Sequence, residues 1–112
     1  MNTVKLYYPS VDLNNKPLDQ AISNPIYKGL ISKLSSINGG CTVYPVQGYY
    51  LTSAGQLIAD DISLITSYTE RLDETINIMK ECSMIILKSL DQESVLIEVN
   101  NQMEFISSET DK

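Results

Sequence analysis

The sequence predicts one α+β domain of the ferredoxin-like type, in which two helices cover one face of a four-stranded antiparallel sheet. Apolar residues recur in the order strand, helix, strand, strand, helix, strand along the 112 residues. Right-handed crossovers from the first strand to the second, and from the third to the fourth, place both helices on the same face. We expect the domain to span residues 1–106 and residues 107–112 to form a flexible polar tail.

The first third of the chain predicts a strand, a long loop and a helix. Apolar and more polar residues alternate from residue 3 to residue 8, which is the period of a half-buried strand. Residues 10–24 are rich in Asn and Asp, so we expect a long loop, and loops of this length are often active-site lids. Asn24-Pro25 predicts the start of the first helix, and Gly39-Gly40 its end.

The middle of the chain predicts an antiparallel hairpin. Its arms are residues 41–51 and 57–68, joined by a turn that contains Gly55. Pro45 and Gly48 would weaken a central strand, so the first arm is predicted to be an edge strand with a bulge.

The last third predicts a helix and a final strand. Ser67 and Glu70 have the spacing of a capping box for the second helix. Residues 95–99 alternate as a strand does, and residues 103–106 either continue that strand or add a short extra one.

Composition excludes several classes of function. The net charge is −6 with one arginine, which argues against nucleic acid as a direct ligand. No apolar run is long enough to span a bilayer and no signal peptide is seen, so we expect no membrane partner and a cytoplasmic location. The chain has no histidine, which argues against a zinc enzyme and against any Ser-His or Cys-His nucleophile, so we expect no metal and no cofactor. Cys41 and Cys82 are expected to be reduced.

The open face of the predicted sheet is the candidate working surface. Tyrosine supplies area and a hydroxyl for stacking or for an interface, and seven tyrosines occur in the chain. Strand alternation places Lys5, Tyr7 and Tyr44 on this face. The positions of Tyr49, Tyr50 and Asp61 depend on the strand register that the predicted bulge sets. The single arginine could bind a carboxylate or phosphate, although pairing with acidic neighbours is the simpler interpretation. The candidate ligand-binding residues are Lys5, Tyr7, Tyr44, Tyr49, Tyr50, Asp61, Arg71, Gln92 and Glu93.

Several short strings occur in a familiar order. They are Gly39-Gly40-Cys41-Thr42, Gly48-Tyr49-Tyr50, the turn glycine Gly55, and Gln92-Glu93-Ser94-Val95-Leu96. In this order the chain resembles an uncharacterised family of small bacterial proteins with a G-x-W or G-x-Y string and a terminal G-Q-E-S-V-L string. Asp91 stands where that family has glycine. The resemblance implies a ferredoxin-like fold, supplies no activity, and is what adds Gln92 and Glu93 to the candidates.

Three functional hypotheses follow. The first is a non-catalytic protein, bacterial or from a phage, that holds a small molecule on the tyrosine-rich face or between the subunits of a homodimer. The second is an acidic inhibitor or immunity-type protein that binds a basic protein partner. The third is a small isomerase or monooxygenase in which Tyr7, Tyr49 or Lys5 handles a proton, which requires a pKa moved toward neutrality. The absence of acid-base machinery favours the first hypothesis, with no catalytic residue assigned.

Overall fold

A computed structural model describes residues 1–107 of the chain and shows an α+β fold with five strands and two helices. The elements are β1 (Asn2–Tyr8), α1 (Gln20–Asn38), β2 (Thr42–Leu51), β3 (Leu57–Thr69), α2 (Leu72–Ser89), β4 (Ser94–Val99) and β5 (Gln102–Ser107). The strands form one sheet in the order β2-β3-β1-β4-β5, and every neighbouring pair is antiparallel. The predicted α+β class is therefore correct.

The fifth strand extends the predicted four-stranded sheet. Asn100 and Asn101 both have positive φ angles, 48° and 71°, which two consecutive asparagines tolerate in a tight hairpin turn. The chain therefore reverses after β4, and β5 pairs with it from Val99↔Gln102 to Ser94↔Ser107. The predicted tail, residues 107–112, lies outside the described residues except for Ser107, which ends β5.

The core lies between the helices and the face of the sheet that they cover. Side chains from both helices and four of the strands form one continuous apolar cluster, which includes Leu6, Leu34, Ile65, Met79, Ile86, Ile97 and Ile106. Within residues 1–107, no helix is long and apolar enough to cross a membrane.

Helix α1 begins earlier than the sequence predicts. Asp19 caps it, accepting a hydrogen bond from the backbone N–H of Ala21 at 3.0 Å, and Pro25 lies inside the helix. The first turn is also held by the core, because the Tyr8 hydroxyl donates to the Ser23 carbonyl at 3.0 Å. These contacts outweigh the hydrogen bond that Pro25 cannot make, so the predicted start at Asn24-Pro25 is wrong.

The predicted capping box of α2 is also absent. Strand β3 continues to Thr69, and Arg71 caps α2 without a side-chain hydrogen bond. Ser67 instead accepts from the Asn38 amide at 2.8 Å, and Thr69 donates to the Asn38 oxygen at 2.6 Å. A buried polar contact between elements thus replaces the local cap.

The β2–β3 hairpin is an edge hairpin, as predicted, but it has no bulge. Its register is continuous from Thr42↔Thr66 to Leu51↔Leu57. Strand β1 pairs with β3 only as far as Tyr8↔Ser63, because Pro9 has no N–H with which to continue the ladder. The distal half of the hairpin therefore extends beyond β1. We call this part, residues 46–62, the overhang.

The fifth strand can be tested with two neighbouring substitutions. Ile106→Ala should lower the free energy of unfolding by about 3 kcal/mol, because it empties a buried position in the core. Phe105→Ala is the matched control, since Phe105 is 66% exposed and its loss should cost less than about 0.5 kcal/mol. Urea denaturation of both variants gives the comparison. Equal losses would contradict the pairing of β5 with β4.

Candidate functional site

The overhang and the open face of the sheet enclose a cavity of about 490 Å³. The hairpin contributes Gly48, Tyr50, Asp60 and Ile62 to its wall, and the other side is formed by residues 92–94. Tyr7, Leu96 and Phe105, from β1, β4 and β5, also line it. A cavity of this size with aromatic, amide and carboxylate groups is the usual form of a small-molecule site.

The tip of the hairpin is tied to the start of β4. Glu93 Oε1 accepts two hydrogen bonds from Ser53, one from the backbone N–H at 2.9 Å and one from the hydroxyl at 2.7 Å. These two bonds lower the pKa of Glu93, so its carboxylate is ionised at neutral pH. Neither bond uses Oε2.

A second carboxylate, Asp60, holds the loop that follows β1. Asp60 is 3% exposed, and its Oδ1 accepts from both the backbone N–H and the hydroxyl of Ser10, at 2.8 and 2.7 Å. The Gln92 amide donates to the Val11 carbonyl at 2.7 Å in the same region. The beginning of the predicted 10–24 loop is thus held beside the cavity by two residues of the cavity lining, Asp60 and Gln92.

Tyr50 lies at the acidic end of this cavity. Its hydroxyl is buried and has no hydrogen-bond partner in the structure. Burial raises the pKa of Tyr50, and the carboxylates of Asp60 and Glu93 raise it further. The phenol therefore keeps its proton at neutral pH, and its O–H is a buried donor without an acceptor in the structure.

The other end of the cavity is apolar and aromatic. It is formed by Tyr7, Ile62, Leu96 and Phe105. Burial and the nearby Glu98 carboxylate, to which its hydroxyl donates at 3.2 Å, raise the pKa of Tyr7. The proton-transfer role considered for Tyr7 needs a shift in the opposite direction, so Tyr7 does not meet that requirement.

Five of the nine predicted residues line the cavity, namely Tyr7, Tyr49, Tyr50, Gln92 and Glu93. The side chain of Tyr49 lies on the opposite face of β2 from that of Tyr50, although Tyr49 is part of the cavity lining. Its hydroxyl donates to Gln47 at 3.1 Å.

The other four predicted residues lie elsewhere. Lys5 is on the open face, 3.5 Å from Glu98, and Tyr44 is exposed on that face beside Tyr68. Asp61 accepts from Gln47 at 3.2 Å on the opposite face of the hairpin. Arg71 is exposed at the start of α2, 3.9 Å from Glu74. The simpler interpretation of Arg71, pairing with an acidic neighbour, matches this position.

Sequence reasoning missed Asp60 and Phe105. Without a bulge, Asp60 faces Gly48 across the hairpin on the open side, so Asp60 and not Asp61 enters the cavity. Phe105 was missed because β5 was not assigned as a strand of its own. The Asn100-Asn101 pair between two apolar runs is the signal that could have revealed it.

A second, apolar groove of about 290 Å³ lies between α1 and α2, lined in part by Ile26, Leu30, Cys82 and Ile85. Burial raises the pKa of Cys82 to about 12, so its thiol stays protonated and unreactive. Lys33 is the single charged side chain in the lining. This groove lacks the convergent polar groups of the sheet cavity, which is therefore the candidate site.

Comparison with known proteins identifies the fold through solved structures. No protein-family model matches the sequence, and no curated protein matches it. A phage SAM lyase in complex with S-methyl-5′-thioadenosine has the same fold, with a TM-score of 0.65 and 16% identity over 96% of this chain and 90% of that one. A phage SAM lyase in the apo state gives 0.64 and 19% over the same shares.

These neighbours overturn the first functional hypothesis. At such identities the likeness establishes the fold alone. Both solved structures with this fold are nevertheless structures of an enzyme, and they match this chain over almost its whole length. The expectation of a non-catalytic binding protein is therefore wrong. It gave too much weight to the missing histidine, because a reaction can proceed without a protein acid-base pair when the substrate supplies its own reacting groups.

The packing of the overhang can be tested at Gly48. A Cβ at this position would lie 2.7 Å from Ile62 Cδ1, so that methyl group would have to move. Gly48→Ala should cost about 1 kcal/mol in unfolding free energy, the usual cost of a displaced rotamer. In an Ile62→Val background, which lacks Cδ1, the same change should cost less than about 0.5 kcal/mol. Equal costs in the two backgrounds, measured by urea denaturation, would contradict this packing.

Proposed function

We propose that this protein is an enzyme that binds S-adenosylmethionine in the sheet cavity and cleaves it to release S-methyl-5′-thioadenosine. The observation that carries the proposal is the pairing of an acidic end, with Asp60 and Glu93, and an aromatic end in one cavity. Among the described residues, the lining contains no lysine or arginine to neutralise these carboxylates. The shared fold with a phage SAM lyase supports the same reaction class.

The acidic end suits the amino acid part of this substrate. S-adenosylmethionine carries a permanent positive charge on sulfur and a second one on its ammonium group. Asp60 and Glu93 each use one oxygen to hold a neighbouring segment, and those hydrogen bonds leave the second oxygen unused. The ammonium is the better partner for them, since its charge does not change in the reaction, whereas the charge on sulfur disappears.

The aromatic end suits the adenosine part. Tyr7 and Phe105 offer ring surfaces to a purine, and Leu96 and Ile62 offer apolar contacts. An aromatic ring close to the sulfonium would also attract its positive charge by a cation–π interaction, as aromatic rings do when they bind quaternary ammonium ligands. The Tyr50 hydroxyl is buried without a partner in the protein, and in this proposal a small movement of the hairpin on binding lets it donate to a ligand oxygen.

The bond that breaks joins sulfur to the four-carbon amino acid chain, because the methyl group and the adenosyl group both remain in the product. The electron pair of that bond moves to sulfur and cancels its charge. We propose that the substrate's own carboxylate attacks the carbon that sulfur leaves, giving a cyclic ester of the four-carbon amino acid. Atoms and charges balance without water and without transfer of a proton.

The properties of the side chains favour this route over elimination. Elimination would need a base that takes a proton from carbon. The chain has no histidine, the lowered pKa of Glu93 makes its carboxylate a weak base, and in this proposal the Asp60 and Glu93 carboxylates bind the substrate ammonium group. Raised pKa values keep Tyr7 and Tyr50 protonated at neutral pH. The protein then has to bind the substrate in a folded conformation and exclude water, which are positioning effects. A cytoplasmic location belongs to this proposal, because the substrate is a cytoplasmic methyl donor.

We further propose that the protein forms a homodimer through the open face of the sheet. Tyr44, Tyr68 and Met103 on this face are exposed by 45%, 49% and 62%. Large exposed apolar side chains on one face are typical of an interface. A second copy packed here would cover the mouth of the cavity and exclude water from it.

Two adjacent carboxylates provide a matched test of the reaction. Asp60→Asn should lower the rate of S-methyl-5′-thioadenosine release by roughly tenfold to a hundredfold, which is the range for loss of one charged hydrogen bond. Asp61→Asn should leave the rate within about twofold, because Asp61 lies on the opposite face. Chromatography of timed reactions measures the nucleoside, and mass spectrometry identifies the four-carbon product.

Three outcomes would contradict the proposal. The activity itself is contradicted if the wild-type protein forms no S-methyl-5′-thioadenosine. The site is contradicted if both variants are equally active or equally impaired. A cyclic ester is the expected second product. Detection of an unsaturated amino acid in its place would contradict the proposed route and indicate elimination.

The interface can be tested with one substitution on each side of the molecule. Tyr68→Glu should shift the protein from dimer to monomer, because it places a charge in the proposed contact. Ile85→Glu, at an exposed position on α2, should leave the dimer intact. Native mass spectrometry gives the mass of each species. A monomeric wild-type protein would contradict the interface.

A further inference from the structure

Glu98 is a buried carboxylate beside the cavity, in the middle of the open face. It is 9% exposed although the sheet face around it has no covering layer in the described residues. Its Oε1 accepts from the Tyr7 hydroxyl at 3.2 Å, and its Oε2 lies 3.5 Å from Lys5 Nζ. Lys5 and Glu98 are directly opposite each other on β1 and β4. Glu98 does not line the cavity, but its partner Tyr7 does.

These contacts fix the orientation of the Tyr7 side chain. A tyrosine on an open sheet face would otherwise have rotamer freedom, and its hydroxyl could point to solvent or into the cavity. The bond to Glu98 directs the hydroxyl along the sheet, so the ring itself forms the cavity wall. An apolar residue at position 98 would be easier to bury than a carboxylate, so stability alone does not account for Glu98.

We infer that Glu98 is a positioning residue, which holds the Tyr7 ring as a fixed surface for the nucleoside part of the substrate. Lys5 neutralises the Glu98 carboxylate, so that this residue adds little to the acidic character of the cavity. The identity of the ligand rests on the proposed function, whereas the hold on Tyr7 does not. Glu98 thus differs in its role from Asp60 and Glu93, whose second oxygens are left for the ligand.

A double-mutant cycle tests the inference, with the dissociation constant for S-methyl-5′-thioadenosine measured by calorimetry. Glu98→Leu removes the acceptor and should weaken binding about fivefold, the equivalent of one neutral hydrogen bond. Glu98→Gln keeps an acceptor oxygen and should bind within about twofold of the wild type. In a Tyr7→Phe background, Glu98→Leu should have no further effect, because the bond through which it acts is already gone. The inference would be overturned if the losses of affinity of the two single variants multiplied in the double variant. It would also be overturned if Glu98→Leu bound the nucleoside as tightly as the wild type.

A second readout does not depend on the ligand. In protein with carbon-13 labelled tyrosine, Glu98→Leu should move the ring signals of Tyr7 and lower the pKa of its hydroxyl, since the carboxylate that raises it is absent. Asp61→Asn is the control and should change neither. If the wild-type protein does not bind the nucleoside, the proposed function fails and the ring signals still decide the inference. Unchanged Tyr7 signals in Glu98→Leu would overturn it.

Discussion

The cavity depends on the mismatch in length between β3 and β1. Pro9 ends the ladder at Tyr8↔Ser63, while β3 and its partner β2 continue to Leu57 and Leu51. A two-stranded hairpin that no third strand supports is a marginal structure by itself. Here its tip is bound to Glu93, and its buried Asp60 is bound to Ser10. The hairpin is thereby held over the open face, which changes a flat sheet surface into an enclosed site.

The carboxylates of this region divide into two kinds. Asp60 and Glu93 are held by backbone and hydroxyl donors, which fix them without neutralising their charge. Glu98 has a lysine partner and holds a tyrosine instead. Asp60 is buried and has no cationic partner among the described residues, whereas Glu93 is exposed. Because an uncompensated buried carboxylate is costly, the position of Asp60 agrees with the cationic ligand proposed for the cavity. The net charge of −6 is therefore consistent with the site as well as with solubility.

The missing histidine is compatible with catalysis for a reason that lies in the substrate. Acid-base residues are needed when a proton must move in the transition state. An onium substrate carries its own leaving group, and an attached carboxylate can act as the nucleophile. In the proposed reaction the protein would contribute orientation and exclusion of water, which tyrosine, leucine and phenylalanine side chains can supply. A search for catalytic motifs cannot detect such a site, because its residues resemble an ordinary binding surface.

The sequence by itself determined the two-layer α+β class, the order of the first six elements and the edge position of β2, and it placed Tyr7 on the open face. Its candidate list also contained Tyr49, Tyr50, Gln92 and Glu93, which line the cavity, but it left the register of the two tyrosines open. These follow from local periodicity and from short strings of residues. Only the tertiary structure decided that Asp60 enters the cavity and not Asp61, that α1 begins at Gln20, and that Phe105 belongs to a fifth strand. The physical reason is that contacts between distant segments set strand register and helix ends, and a shift of one residue in a strand moves every side chain to the other face.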